Sequence, residues 1–129
     1  MRRLNAREYD NTIRDLVGLD LKPSVSQQFP ADEWGDGFDN DGDVLTTSSL
    51  LSEKYLQAAQ AVVKAALADA GARAKLLTCA IETDAACAGT SLGEFARRAF
   101  RRSVAADELA PYLTLVALAK SKGDTAEVG

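Results

Sequence analysis

The sequence contains no histidine. That removes the usual general base at neutral pH, the commonest zinc ligand and the usual axial ligand of haem. Its two cysteines, Cys79 and Cys87, are too few and too far apart for a zinc knuckle or a CxxCH haem attachment. No GxxxxGK[ST] phosphate loop occurs. No apolar run approaches the roughly 20 residues that span a bilayer, so no transmembrane segment is expected. The start, "MRRLNAREYD", has no apolar stretch of the signal-peptide kind. There is no surplus of cations either. A net charge of -4 argues against non-specific nucleic-acid binding, because nothing in excess faces the phosphates. Catalysis by this chain alone would need carboxylate, Lys, Tyr or Cys, and nothing pairs these convincingly.

What is present is a globular composition, 47% hydrophobic and 26% charged over 129 residues. That suits one ordinary domain or two small helical modules. A chain of this length buries roughly two thirds of its surface, so it needs no metal or disulfide merely to fold.

Helical periodicity recurs in four segments, and no strand-like alternation competes with it. Asn5 followed by Glu8 reads as a capping box, with Tyr9, Ile13, Leu16 and Val17 at helical spacing and Gly18 as the stop. A second helix begins near Ser48 or Ser49 and carries the stripe Leu51, Tyr55, Ala59, Val62, Val63, Ala66 and Ala70, with Gly71 as its natural end. A third runs to about Arg102, starting at Asp84 or at the box-like Ser91 and Glu94, with Leu92, Phe95, Ala96, Ala99 and Phe100 on its apolar face. The last, "DELAPYLTLVALAKSKG", buries Leu109, Tyr112, Leu113, Val116 and Ala119, with Pro111 in about the first turn, where it is tolerated. The expectation is an all-α protein: a small irregular bundle of about four helices with a long packed acidic loop between the first two. Residues 1–71 form a first module containing the loop 19–47, residues 72–88 a linker with both cysteines, and residues 89–129 a second module. "GDTAEVG" reads as the opening of another helix, so the chain is expected to be cut from a longer protein at that end.

Three features invite a functional reading. The loop "DEWGDGFDNDGDV", residues 32–44, has six acidic side chains and three glycines. As an EF-hand it fails in both frames. With Gly37 as the turn glycine, Trp34 takes a ligand position and Asp39 the apolar one; with Gly42, Gly37 and Ser48 take ligand positions. An irregular calcium site would draw on Asp36, Asp39, Asp41 and Asp43. The preferred reading is a turn whose Asp and Asn side chains bond nearby amides, with Leu19, Leu21, Phe29, Trp34 and Phe38 pinning the loop to the helices. Arg97, Arg98, Arg101 and Arg102 could bind phosphate or an acidic partner, and are expected instead to pair with the acidic loop or with Asp107 and Glu108. Cys79 and Cys87 are a disulfide or two buried thiols. On one continuous helix they would stand ~12 Å apart, too far to bridge, whereas a turn at "ETD" lets them meet.

The stretches "RRLNAREYDNTIRDLVG", "FPADEWGDGFDNDGDVLTTSSLLSEKYLQAA" and "FARRAFRRSVAADEL" resemble the planctomycete-type cytochrome c-associated domains of unknown function. Those occur in large secreted proteins of planctomycetes, myxobacteria and related bacteria. The first two stretches resemble the module that commonly follows a cytochrome c-like domain there. The third is similar to the start of the next helical module, with its RRAFRRP-type motif. Ser49 and Ser103 depart from that pattern by replacing proline, and Ala105 by replacing a capping threonine. Within the loop the resemblance covers Phe38, Asp39 and Asn40, implying that Phe38 anchors the turn while Asp39 and Asn40 bond backbone. It implies a periplasmic or secreted setting, in which Cys79 and Cys87 are expected to bond to each other. Haem is expected only in a neighbouring domain, with no cofactor in this chain, and the partners implied are neighbouring domains of the parent protein. No catalytic residue is implied. The resulting reading is a helical structural or docking module of a larger exported protein. The alternatives are part of an oxidoreductase or hydrolase completed elsewhere in the parent, and a calcium-binding module.

Overall fold

The structure, a computed structural model, describes residues 3–35, 37, 39, 41, 45–84 and 86–125. Among the described residues six helices follow one another: α1 (Ala6–Val17), α2 (Pro23–Ser26), α3 (Ser49–Ala68), α4 (Ala70–Leu76), α5 (Cys87–Phe100) and α6 (Ala106–Ser121). Among the described residues there is no extended strand, so the protein is all-α. Two helices exceed the expected four. One is the single turn α2 inside the long loop. The other arises because the second helix breaks before Gly71. Asp69 adopts an extended conformation (φ -89°, ψ 122°) and its carboxylate accepts the Ala72 N–H at 2.8 Å, so it ends α3 and caps α4.

The chain divides into two compact units, Met1–Ala72 and Arg73–Gly129. In the first, α1 starts as its capping box requires. Asn5 Oδ1 accepts the Glu8 N–H at 2.8 Å, and Glu8 Oε2 accepts the Asn5 N–H at 3.1 Å. Gly18 closes the helix at φ 81°, a left-handed position that glycine takes without a Cβ clash. Pro23 occupies the first turn of α2, where its missing N–H costs nothing. Phe29 then packs between Tyr9 and Tyr55, with ring centroids 5.2 Å from each, while the two tyrosines lie 5.1 Å apart. Burial raises the Tyr9 phenol above its ordinary pKa, with Tyr55 and Asp10 adding to the effect. Leu51, Ala58, Val62 and Ala66 are the buried residues of α3, joined in the core by Val17, Leu45 and Ala72. The stripe on α3 is therefore narrower than its alanines suggested: Ala59 is exposed, and so is Val63. Trp34 is a second correction, since 71% of its surface is open and it does not pin the loop. Phe29 does that work.

In the second unit, Cys79 and Cys87 form a disulfide, with their Cα atoms 5.7 Å apart. A turn precedes α5: the Thr83 and Asp84 N–H groups bond the Ala80 carbonyl, and Asp84 Oδ1 accepts the Ala86 N–H at 2.9 Å. The helix then opens at Cys87, between the two starts weighed from sequence. Ser91, one of those starts, is instead buried within α5, its hydroxyl 3.7 Å and 3.8 Å from the two sulfurs. Leu77, Ile81, Ala88 and Val116 pack around the bridge, and Lys120 Nζ donates to the Ile81 carbonyl at 3.3 Å. Pro111 lies inside α6, beyond the first turn, where it deprives an interior carbonyl of its amide partner. α6 is apolar on more than one side. Tyr112, Leu115 and Leu118 are about half exposed, while Leu113 and Val116 are partly covered.

Candidate functional site

The acidic loop is tied to the start of α1 by its own carboxylates. Asp32 accepts from Arg3 Nη1 at 2.8 Å and from the Ala6 N–H at 2.6 Å, and both members of the ion pair are only 11% exposed. A first-turn amide left open by the helix thus receives an anion, which also suits the positive end of the helix dipole. Asn5, wholly buried, sends its Nδ2 to the Asp39 carbonyl at 3.5 Å. Gly35 is buried as well. A Cβ there would fall 2.9 Å from the Cβ of Asp41 and closer still to its carboxylate, so the chain passes where only glycine fits. A second carboxylate works in the same way: Asp10 accepts the Ser24 N–H at 2.9 Å and the Ser24 hydroxyl at 2.5 Å, fastening α2.

Of the calcium candidates, Asp39 and Asp41 are described, whereas Asp36 and Asp43 lie outside the described residues. Among the described residues, no three acidic or Cys/His side chains gather to hold a cation. Phe38 and Asn40, the other residues of the turn reading, also lie outside the described residues. The contact that ties Asp39 to the first helix runs through its carbonyl, which accepts from Asn5.

The arginines sit where α5 ends. Arg102 makes a two-pronged pair with Glu108, Nη1 to Oε2 at 2.9 Å and Nη2 to Oε1 at 2.6 Å, and Nη1 also donates to the Ser103 carbonyl at 2.9 Å. Its guanidinium lies 5.4 Å from the centroid of the Phe100 ring. Glu108 Oε2 in turn accepts the Ala105 N–H at 2.9 Å, so it serves the start of α6, where Ala105 has no side chain to cap. Arg97, Arg98, Arg101 and Arg102, with Ser103, line one cleft.

The Arg102 guanidinium, with help from the Ala105 N–H, holds the Glu108 carboxyl down at about 2, against an ordinary value of 4.5. The folded-state pKa is the lower one. Its contribution to stability is therefore fully present above about pH 4.5 and is lost as the pH falls towards 2. Because the pair is exposed, the effect is small and screened by salt. Protection factors of the first-turn amides of α6, normalised to intrinsic exchange and followed from pH 5 to pH 2, are expected to fall in the native chain and to lose that component in Glu108→Gln. Identical profiles for the two proteins would contradict the assignment.

Sequence reasoning missed Arg3, Asp10 and Asp69, and did not give Asp32 its role. Asp69 stands three residues before the Ala72 amide that it caps, a local spacing that was open to reading. The others reach across the loop.

Residues 2–68 match the family model described as PSD3, a protein of unknown function (DUF1587), and residues 87–129 that of PSD5, a protein of unknown function (DUF1595). No curated protein and no solved structure matches the chain.

Proposed function

The chain belongs to the PSD3 family of unknown function (DUF1587), and on that premise we propose that it is a helical docking module of a larger, exported, cytochrome c-associated protein. The observation that carries this reading is the open face of α6. Tyr112, Leu115 and Leu118 recur every three residues along one helix, each about half exposed. Apolar side chains in a row on a surface helix mark a contact that another body covers. The occupant proposed is a neighbouring domain of the parent protein. The resemblance of the three sequence stretches to cytochrome c-associated modules supports that choice. A disulfide persists in oxidising compartments, which supports a periplasmic or secreted setting. Haem belongs to the neighbour in this reading, because no CxxCH occurs here.

Hydrogen exchange tests the docking directly. The α6 amides from Tyr112 to Leu118 are expected to exchange at least about tenfold more slowly in the parent protein than in the 129-residue chain, since covered helices open less often. Leu115→Lys in the parent should abolish the difference. Equal exchange in both settings would remove the docking role. A parent reading frame without a haem-attachment motif would remove the cytochrome association.

A further inference from the structure

α5 ends at Phe100, and the chain leaves it through Arg101 at φ 53°. A left-handed position after a helix is where glycine is favoured, because a Cβ there crowds the neighbouring backbone. Gly18 fills the equivalent position after α1. After α5 an arginine fills it, so the strain places a guanidinium at this spot. Arg97, Arg98, Arg102 and Ser103 complete the lining of a cleft of about 340 Å³. Every lining side chain can donate a hydrogen bond and four carry fixed positive charge. No carboxylate lines the cleft among the described residues.

Complementing the helix dipole accounts for positive charge at this end of α5, but calls for no cleft shared by four guanidinium-bearing residues. Arg102 is held by Glu108 and the Ser103 carbonyl, which makes it a fixed wall of the cleft. Arg97 and Arg101 are exposed. A planar guanidinium fork matches a pair of oxygens on one atom, and several forks around one space call for an acceptor with more than one such edge. From this geometry we infer that the cleft binds a tetrahedral oxyanion, a phosphate or sulfate group, either as the free ion or as an ester. Its volume is that of a small-molecule site, with room for a group larger than the bare ion.

The test is calorimetric titration of the 129-residue chain at constant ionic strength with inorganic phosphate, inorganic sulfate and glucose 6-phosphate, with the Arg Nε–Hε resonances followed in parallel. Saturable binding is expected, with chloride at the same ionic strength producing none. Tighter binding of the ester would identify an esterified group as the ligand; equal binding would identify the free ion. Arg97→Gln and Arg101→Gly are each expected to weaken binding by about tenfold, the loss of a charge-assisted hydrogen bond. Arg101→Gly should do so while the melting temperature stays level or rises, because glycine relieves the left-handed position, which separates binding from folding. Lys122→Gln should bind as the native chain does. A response to phosphate no different from that to chloride would overturn the proposal, and so would native affinity in both arginine variants.

Discussion

Cys79→Ala/Cys87→Ala is expected to destabilise the unit Arg73–Gly129 by about 2–3 kcal/mol, the chain-entropy value for closing so short a loop. The size of the effect matters because the unit has little else to hold it. Among the described residues its buried apolar side chains are Ile81, Cys87, Ala96 and Ala119, and two of those are alanines. α5 starts without a side-chain cap, and α6 carries an interior proline. The bridge fixes the turn before α5 and thereby the packing of Leu77, Ile81 and Val116. Denaturant unfolding of the native and double-alanine chains should show the loss, and adding reductant to the native chain should reproduce it. Amide exchange should accelerate throughout α5 and much less in α1, whose cap and core lie in the other unit. An unchanged midpoint would show that helix packing, not the bridge, sets the stability of this unit.

Much of the helical content was legible because its signals are local. The capping box of Asn5 and Glu8 spans three residues, and Ser48 caps α3 through the Leu51 N–H at 3.1 Å over the same distance. Gly18 ends α1 where its spacing placed it. Asp69 is equally local, but Gly71 beside it is the stronger helix breaker by residue type and hides the cap. Residues that fasten the loop were not legible, because each reaches a partner far along the chain: Arg3 to Asp32, Asp10 to Ser24, Asn5 to Asp39. Periodicity tells which face of a helix is buried and says nothing of what lies against it. Trp34 shows the limit from the other side, since its size argues for burial and its position in the loop leaves it in solvent. The arginines were legible as a cluster. Of the partners weighed for them, the structure pairs Arg102 with Glu108. Which anion the shared cleft takes is a question of three-dimensional lining that spacing alone does not pose.

Asn5→Ala is expected to cost about 2–4 kcal/mol of the stability of the unit Met1–Ala72, through three losses at one buried position. The first is the cap, since Glu8 N–H loses its acceptor at 2.8 Å; an N-cap of this kind contributes about 1 kcal/mol. Second, the Asp39 carbonyl loses its donor, a longer and weaker bond at 3.5 Å. Third, a wholly buried polar side chain leaves a gap whose remaining groups have no water to turn to. Asn5→Ser separates these terms, because serine keeps the cap and cannot reach the loop. It is expected to lose roughly half as much as alanine, with the loop 19–47 becoming the first site of limited proteolysis. Urea unfolding of the three proteins measures the order, and native stability in Asn5→Ala would refute the coupling of the loop to α1. The same variant separates the two readings of the acidic loop. If its carboxylates act as structural ties, as Asp32 does on the Ala6 amide, calcium at millimolar concentration should leave the midpoint of Asn5→Ala where it was. A ligand that binds only the folded form must raise that midpoint by mass action, so recovery of stability with calcium would make the loop a metal site instead.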